Sequence, residues 1–182
     1  MRSKAVFIDK DGTLIVDVPF NVNPDLIRLQ EDTIEGLRRI KQLGYELIVI
    51  SNQSGVAHGH FEESDLKQVE EKLRELLGEH NLSLDAFYYC PHHPGGSVER
   101  YAIDCKSRKP QPGMILKAAK DREIDLNRSW MIGDILHDIE AGNRAGCRTI
   151  LIDNGNETEW VMNNFNHPDF TVRTINDAAT KL

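Results

Sequence analysis

Short apolar runs alternate with amphipathic segments along most of this chain, and that alternation restricts the fold more than any other feature of the sequence. The run KAVFID, residues 4–9, has no polar alternation and is typical of a strand that is buried on both faces. Comparable runs occur at YELIVISN (45–52), LDAFYYC (84–90), SWMIGD (129–134) and CRTILID (147–153). Five strands separated by helical segments predict an α/β fold with a doubly wound, mainly parallel, Rossmann-like sheet and helices on both faces.

The segments between these runs carry apolar residues at the three- and four-residue spacing of amphipathic helices. The predicted helices cover residues 31–43, 64–78, 112–121, 137–146 and 175–182. Gly44 and Gly146 lie where two of these helices should end, and Pro112 lies where another should begin. A short edge strand is expected near residue 170, and the whole pattern predicts one domain over residues 1–182.

The charge and composition exclude several classes of partner. The 182 residues carry a formal net charge of -7, which argues against broad binding to nucleic acid or anionic membranes but leaves small phosphorylated ligands open. No run approaches the ~18–20 apolar residues of a membrane span, and we expect no secretion signal. The three cysteines are too few for a disulfide framework, and their odd number fits a reducing compartment. We therefore expect a cytoplasmic protein and, since no unexplained apolar helix face stands out, a monomer.

Polar residues follow the predicted strands, at the edge where a doubly wound sheet places its ligand site. The residues at these strand ends are Asp9 and Asp11, Ser51 and Asn52, and Asp134. Two carboxylates crowded at the end of a buried strand are costly unless a cation neutralises them or a reaction uses them. The strand ends therefore predict a functional site at the carboxyl edge of the sheet.

Taken one at a time, these motifs have ordinary explanations. Asp-Gly is a common turn signal, and Ser51 could cap a helix or a turn. Lys109 lies in the proline-fixed loop SRKPQPG, where a lysine is usually solvated, and Asp138 suits the first turn of a helix. A calcium-binding EF-hand loop is excluded, because it requires glycine at its sixth position and Gly12 is the fourth residue counted from Asp9.

Taken together, the motifs resemble those of the haloacid dehalogenase-like phosphatases. Asp-x-Asp-Gly-Thr from Asp9, then Ser51, then Lys109, then Gly-Asp-x-x-x-Asp at 133–138 follow in the order of that family. The resemblance covers residues 4 to about 152. Members of the family often carry a cap domain between these motifs, but the segments before and after Ser51 have no room for one, so we expect no separate cap domain.

The resemblance implies a phosphomonoesterase that depends on Mg²⁺. Asp9 would be the nucleophile that forms an aspartyl-phosphate, and Asp11 would protonate the leaving oxygen and then activate water. Mg²⁺ would be held by the Asp9 carboxylate, the Asp11 backbone carbonyl and Asp134, a set of hard oxygen ligands. Lys109 would balance the charge and orient Asp9.

Four further residues are assigned around this centre. Ser51, with Asn52 beside it, would hold the phosphoryl oxygens, and Asp138 would support the site. Arg108 would suit a second phosphate by bidentate contact, with a surface ion pair as its ordinary alternative. The expected partner is therefore a small phosphorylated substrate.

One loop narrows the resemblance to the heptose 1,7-bisphosphate phosphatases and the related histidinol phosphatases. In those proteins the loop carries zinc on a Cys-x-His pair and a Cys-x-Cys pair, and Cys90, His92 and Cys105 match. The fourth ligand position is Ser107, so His93 or a water would have to complete the zinc shell. The alternative is a specificity loop, residues 90–109, that is held by packing and keeps free thiols.

Three other features depart from the family pattern or lie outside it. Ile135 follows Gly-Asp, where the heptose bisphosphate phosphatases usually carry a basic residue. Cys147 is expected to be an ordinary core residue. The tail 153–170 could border the site or cover the edge of the sheet, and the sequence does not choose between these positions.

The resemblance gives a first expectation for the reaction, with two alternatives. The first expectation is hydrolysis of D-glycero-D-manno-heptose 1,7-bisphosphate to the 1-phosphate, a step of nucleotide-activated heptose synthesis. Histidinol phosphate or another small monophosphate is the alternative within phosphatases. A phospho-receiver or binding module belongs to a different class and is disfavoured, because a receiver has no leaving group for Asp11 to protonate.

Overall fold

The fold is built on a six-stranded parallel sheet, which the computed structural model describes over residues 2–182. The strands are β1 (Ala5–Ile8), β2 (Glu46–Asn52), β3 (Ala86–Cys90), β4 (Trp130–Gly133), β5 (Arg148–Ile152) and β6 (Phe170–Val172). They lie in the order β3-β2-β1-β4-β5-β6, and every neighbouring pair is parallel. The predicted doubly wound α/β sheet is confirmed, and so is the short strand near residue 170.

Helices cover both faces of this sheet. In the described residues they are α1 (Thr33–Gln42), α2 (Leu66–Gly78), α3 (Gly113–Asp121), α4 (Leu136–Ala145) and α5 (Ile175–Ala179). Val6 and Ile8 of β1 pack with α1, α2 and α5, whereas Ala5 and Phe7 pack with α3 and α4 on the opposite face. All four β1 side chains are fully buried, which is why the run has no polar alternation.

Some helix ends differ from the predicted ones, for local reasons. α1 begins at Thr33 rather than at residue 31, because Asp32 has a φ of 58° and lies in the left-handed region. A 3₁₀ turn at Glu63–Asp65 precedes α2, which therefore starts at Leu66 rather than at residue 64. Gly146, with a φ of 89°, ends α4 as expected of a glycine in the left-handed conformation.

The position of β1 in the middle of the sheet determines where a ligand can bind. After β1 the chain passes to α1 on one face, and after β4 it passes to α4 on the other face. The loops that follow these two neighbouring strands therefore diverge and leave a crevice between them. Asp9 follows β1 and Asp134 follows β4, so two of the predicted site residues lie at this crevice.

The connections that could carry a cap are short and mostly irregular. Residues 9–32 contain a 3₁₀ turn at Pro24–Leu26 and isolated bridges, and residues 53–65 contain only the turn before α2. A third connection, residues 91–112, contains one 3₁₀ turn, and none of the three holds an α-helix or a strand of the sheet. Between residues 2 and 182, no helix has both the length and the apolar character needed to cross a membrane.

Candidate active site

Asp9 lies directly beyond β1, and the sheet fixes its backbone. Its amide donates a hydrogen bond to the carbonyl of Ile132 in β4 at 2.9 Å, so the parallel pairing continues one residue past the strand. Its carboxylate Oδ1 accepts a hydrogen bond from Lys109 Nζ at 2.5 Å. Lys109 is 3% exposed, and it also lies 2.6 Å from Asp138 and donates to the carbonyl of Ile50 at 3.0 Å. Three contacts thus hold the ammonium group in place.

Asp9, Asp134 and Asp138 form a buried carboxylate cluster. Each offers an oxygen that lies within 4.8 Å of the others. Burial raises the pKa of Asp9 well above its usual value although Lys109 lowers it, and the charges of Asp138 and Asp134 raise it further. Burial, with the charge of Asp138, also raises the pKa of Asp134 to about 6. Three carboxylates therefore share one ammonium group, and burial favours the protonated forms of Asp9 and Asp134.

This donor set fits a hard divalent cation. Carboxylate oxygens in a rigid, partly hydrated cavity are the ligands that Mg²⁺ takes, and a cation among them would offset the charge that burial makes costly. The predicted metal ligands were Asp9, Asp11 and Asp134, whereas the cluster contains Asp138 and not Asp11. The side chain of Asp11 lies outside the cluster, which is consistent with the prediction that only its backbone carbonyl would contact the metal.

Asp134 and Asp138 are held by neighbouring segments. Asp134 accepts hydrogen bonds from Thr13 Oγ1 at 2.8 Å and from Asn156 Nδ2 at 2.6 Å. Asp138 is fully buried in the first turn of α4, where its Oδ2 accepts from the amide of Ile135 at 3.3 Å. Asp138 therefore combines the ordinary role of a carboxylate at a helix start with an ion pair to the site.

Asp11 lies at the edge of this arrangement and is partly open to solvent. Its side chain is 33% exposed, and its Oδ1 lies 2.5 Å from the ammonium of Lys10, whose own side chain is buried. Its Oδ2 accepts a hydrogen bond from Gln53 Nε2 at 3.1 Å. The carboxyl group is thus held by two neighbours at the mouth of the site, where it is in contact with solvent.

These side chains surround a cavity of about 290 Å³, which we call the catalytic cavity because the predicted catalytic residues line it. Its lining comprises Asp9, Asp11, Asp17, Asn52, Lys109, Asp134, Ile135 and Asn156. A second cavity of about 190 Å³ shares Asp11, Asp17 and Asn52 with the first, and is also lined by Lys10 and Phe20. The paired cavities give room for a substrate that extends from the carboxylate cluster towards the 53–61 loop.

The two residues predicted to hold phosphoryl oxygens behave differently. Ser51 is 1% exposed and is not among the residues that line the cavity, and its Oγ accepts a hydrogen bond from Gln53 Nε2 at 2.7 Å. Asn52 does line the cavity, and its side chain forms two hydrogen bonds with the backbone of Lys109. Its Nδ2 donates to the Lys109 carbonyl and its Oδ1 accepts from the Lys109 amide, both at 3.0 Å. Asn52 thus holds in place the loop that carries Lys109 to Asp9.

The three predicted zinc ligands come together at the end of β3. Cys90, His92 and Cys105 each offer an atom within 4.8 Å of the others, and the Cys90 Sγ lies 3.7 Å from His92 Nδ1. Burial and the neighbouring Cys105 raise the pKa of the Cys90 thiol to about 11, so without a cation it stays protonated. His93 is not part of this cluster, and its Nδ1 accepts a hydrogen bond from the amide of Gly95 at 3.0 Å.

The other predicted residues of this loop lie close to the cluster or away from it. Arg108 is half-buried and donates to the carbonyl of His92 at 3.3 Å, so it lies beside the cysteine cluster and not in the lining of the catalytic cavity. Ile135 contributes an apolar wall to that cavity. Cys147 is buried in the core beneath α3 and α4, as predicted.

Five residues of the site were not assigned from the sequence: Lys10, Thr13, Asp17, Gln53 and Asn156. Lys10 and Thr13 lie within the Asp-x-Asp-Gly-Thr motif, Asp17 lies six residues after Asp11, and Gln53 lies two residues after Ser51. The neighbouring motif residues therefore already pointed to the right loops. Asn156 comes from the tail 153–170, whose position the sequence left open. The structure brings the start of that tail to the catalytic cavity through the contact between Asn156 and Asp134.

Comparison with known proteins places this geometry in a family. The chain is 38% identical over 168 residues to a D-glycero-beta-D-manno-heptose-1,7-bisphosphate 7-phosphatase from Salmonella typhi, which covers 87% of this chain and 89% of the relative. The chain belongs to the haloacid dehalogenase-like phosphatases. A relative with the same name from Pasteurella multocida is 42% identical over 153 residues, 84% of this chain and 83% of the relative. The predicted family is confirmed, and this haloacid dehalogenase-like protein is a phosphatase.

Two further comparisons agree with that assignment. The family model described as HAD-hydrolase-like matches residues 107–178. A crystal structure of D,D-heptose 1,7-bisphosphate phosphatase from B. bronchiseptica, complexed with magnesium and phosphate, superimposes with a TM-score of 0.83 at 27% identity. That comparison covers 98% of this chain and 97% of the other. The haloacid dehalogenase-like fold and its parallel sheet are thus shared over nearly the whole chain.

Proposed function

We propose that this protein is a Mg²⁺-dependent phosphatase that removes the 7-phosphate of D-glycero-D-manno-heptose 1,7-bisphosphate. The observation that carries the proposal is the contact between the Asp9 carboxylate and the Lys109 ammonium group at 2.5 Å, inside a cluster of buried carboxylates. This is the arrangement that an aspartate nucleophile requires. The choice of substrate is supported by the relatives at 38% and 42% identity, which bear that phosphatase name.

The first step transfers the phosphoryl group to the protein. Because Lys109 holds Oδ1 of Asp9, we assign the attack on phosphorus to Oδ2. A bond forms between Oδ2 and phosphorus while the ester bond to the sugar oxygen breaks. The carboxylic acid form of Asp11 gives its proton to that sugar oxygen, so the sugar leaves as a neutral alcohol.

The second step releases inorganic phosphate. The Asp11 carboxylate, now ionised, takes a proton from a water molecule, and the water oxygen attacks phosphorus. The bond between phosphorus and Asp9 breaks, which restores both carboxyl groups to their starting states. The exposure of the Asp11 side chain, 33%, gives it the access to water that this step needs.

The cation belongs to the same proposal. Asp9, Asp134 and the Asp11 backbone carbonyl would hold Mg²⁺, which supplies positive charge against the phosphoryl oxygens and so lets them approach Asp9. Asp138 lies within the carboxylate cluster but is paired with Lys109 at 2.6 Å, so we assign it the task of holding Lys109 and not that of a metal ligand. Asn52 would position Lys109 and contact the phosphoryl group, with Ser51 behind it.

The nucleophile is tested by the isosteric change Asp9→Asn. We expect phosphate release to fall by about a thousand-fold or more, because a carboxamide does not form the aspartyl-phosphate. Asp25→Asn, at an exposed site in the 3₁₀ turn before α1, makes the same chemical change away from the cavity and should leave activity unchanged. Activity retained by Asp9→Asn would contradict the mechanism.

The substrate is tested by phosphate release from a panel of phosphate esters. The panel contains both anomers of the heptose 1,7-bisphosphate, other sugar bisphosphates, the corresponding monophosphates and histidinol phosphate, each with Mg²⁺ and with a chelator. We expect the highest kcat/KM for a heptose bisphosphate. Ile135 makes one wall of the cavity apolar. A preference for a monophosphate or for histidinol phosphate would show that the heptose assignment is wrong.

We also propose that Cys90, His92 and Cys105 bind a structural zinc ion, with water or Ser107 in the fourth position. The proposal is supported by the approach of the three ligand atoms to within 4.8 Å of one another. Because three protein ligands hold zinc less firmly than four, Ser107→Cys should tighten zinc binding, measured by competition with a chromogenic chelator. If the purified protein takes up no zinc, either with or without this substitution, the zinc proposal is wrong and the loop is held by packing alone.

The remaining expectations belong to the proposal as well. We propose one uncapped domain over residues 1–182, with residues 90–109 as the specificity loop, acting as a cytoplasmic monomer without nucleic-acid or membrane partners. The short connections at residues 9–32 and 53–65 support the absence of a cap. Sedimentation of the purified protein at several concentrations tests the monomer, and a mass that rises with concentration would contradict it.

A further inference from the structure

Asn156 lies outside every motif of the sequence, yet it contacts the catalytic centre. It stands in the irregular connection between β5 and β6, and its Nδ2 donates a hydrogen bond to Asp134 Oδ2 at 2.6 Å. We propose that Asn156 is a positioning residue, which orients Asp134 for the divalent cation. The inference rests on the proposed function, because it takes Asp134 as a ligand of that cation.

The two oxygens of Asp134 are held from opposite sides. Thr13 Oγ1, from the loop after β1, donates to Oδ1 at 2.8 Å, and Asn156 donates to Oδ2. Two donors from different segments fix the plane of the carboxylate and still leave lone pairs on both oxygens. Neighbours of this kind set the direction in which a carboxylate presents its oxygens to a metal.

Asn156 is itself held by the segment around it. Its backbone amide donates to Asn154 Oδ1 at 3.2 Å, and Asn154 Nδ2 donates to the carbonyl of Gly12 at 2.7 Å. The carboxylate of Glu157 accepts from the amide of Leu136, at the start of α4, at 2.7 Å. The 154–157 segment is therefore attached both to the loop after β1 and to the helix after β4.

Although Asn156 is exposed, Gly12 lets it and Asp134 lie close to the loop after β1. A Cβ atom on Gly12 would lie 2.2 Å from Asp134 Oδ2 and 2.5 Å from Asn156 Nδ2. Gly12 also has a φ of 83°, a conformation that other residues rarely adopt. Because Gly12 has no side chain, the paired side chains of Asp134 and Asn156 can contact the loop after β1.

The chemistry of an amide suits this position better than a charged group would. Lys109 is already paired with Asp9 and Asp138, and a second ammonium beside Asp134 would compete with the cation for its carboxylate. An amide donates a hydrogen bond and adds no charge. Asp134 therefore keeps the negative charge that a divalent cation needs.

The test measures binding of Mn²⁺, used as a spectroscopic substitute for Mg²⁺, to the full chain without substrate. Free Mn²⁺ is followed by electron paramagnetic resonance. We expect Asn156→Ala to weaken binding by about tenfold or more, as loss of such a neighbour of a metal ligand does. In phosphate release, the Mg²⁺ concentration for half-maximal activity should rise by a similar factor, while KM for substrate and kcat at saturating Mg²⁺ change by less than about threefold.

The matched control is Asn163→Ala in the same connection. Asn163 Nδ2 also donates to a carboxylate, Glu140 Oε2, at 2.7 Å, but Glu140 lies outside the carboxylate cluster. We expect this variant to bind Mn²⁺ like the unmodified protein. Asn156→Gln keeps an amide donor and should bind Mn²⁺ more tightly than Asn156→Ala. If truncation to alanine lowers the melting temperature, Mn²⁺ binding by Asn156→Gln still tests the role of the amide.

Two results separate the inference from the function on which it rests. If Asp134→Ala abolishes Mn²⁺ binding while Asn156→Ala and Asn156→Gln bind like Asn163→Ala, the positioning role is wrong and the metal site stands. Equal weakening by the alanine and glutamine variants also overturns the role of the amide donor. If Asp134→Ala itself leaves Mn²⁺ binding unchanged, the proposed metal site is wrong.

Discussion

Lys109 is a buried ammonium group between two carboxylates, 2.5 Å from Asp9 and 2.6 Å from Asp138. Burial alone would lower the pKa of Lys109, but the charges of Asp138 and Asp9 outweigh that effect and raise it. The residue therefore stays charged at neutral pH. It holds one oxygen of Asp9, the proposed nucleophile, and offsets part of the negative charge of the cluster.

We predict that Lys109→Met lowers both stability and activity. The substitution leaves two buried carboxylates facing each other, which should reduce the free energy of unfolding by about 3 kcal/mol, and phosphate release should fall by about a thousand-fold. Chemical denaturation and a phosphate assay measure the two effects. Lys117→Met is the control, because Lys117 forms an exposed pair with Asp121 and its loss should leave the free energy of unfolding nearly unchanged. Equal effects of the two substitutions would contradict the role of burial.

Single residues also show how much of the candidate site could be predicted from the sequence. Asp9, Lys109 and Asp134 could be predicted to meet, because each follows a strand or precedes a helix at one edge of a parallel sheet. Ser51 was expected to face the ligand, but its hydroxyl is buried against Gln53, since the last residues of β2 are still enclosed by the sheet. Asn156 had no signal, because its position depends on the path of an irregular connection that no periodicity describes.

The helices and strands were more predictable than the segments that join them. The runs buried on both faces identified the strands, because a central parallel strand has helices above and below it. Helix ends were less exact, since the left-handed backbone at Asp32 and the 3₁₀ turn before α2 depend on local hydrogen bonding. The connection from β5 to β6 could be placed only once the structure was known.

One close contact between elements gives a prediction of its own. α1 packs against α5 at Gly36, where an added Cβ would lie 2.7 Å from the carbonyl oxygen of Ile175. Gly36→Ala should therefore force the two helices apart and lower the free energy of unfolding by about 1–3 kcal/mol, measured by denaturation. Activity per folded molecule should remain, because neither helix lines the catalytic cavity.

Gly78 is the matched control for this substitution. It is the last residue of α2, and no other atom lies within 4 Å of the position that a Cβ would take. Gly78→Ala should be neutral or slightly stabilising, because alanine has a higher helix propensity than glycine. A loss of stability as large as that of Gly36→Ala would show that packing between α1 and α5 is not the cause.

For the whole molecule, the carboxylate cluster links stability to pH and to the cation. The pKa of Asp134 is raised to about 6 in the folded protein, above its ordinary value near 4, so the folded chain without metal binds this proton more tightly than the unfolded chain. This group therefore makes the free energy of unfolding fall as pH rises from about 4 to about 6. Asp9, whose pKa is also raised, acts in the same direction.

We predict that stabilisation by Mg²⁺ increases with pH over that same region. Metal binding requires ionised carboxylates, so below about pH 6 each displaced proton should weaken binding by about tenfold per pH unit. The measurement is the rise in melting temperature caused by Mg²⁺ at about pH 5 and about pH 7. Asp134→Asn should remove most of the difference, and stabilisation independent of pH in the unmodified protein would contradict the assignment.

The catalytic contacts join parts of the chain that are made at very different times. Lys109 meets Asp9 across 100 residues, and Asp134 meets Thr13 across 121. β1 emerges early from the ribosome, but β4, its neighbour on one side, begins only at Trp130. A nascent chain therefore carries Asp9, the proposed nucleophile, long before Lys109 and Asp134 exist. Hydrolysis of phosphate esters is in this sense a property of the finished chain, and no contiguous fragment that ends before β4 contains the site.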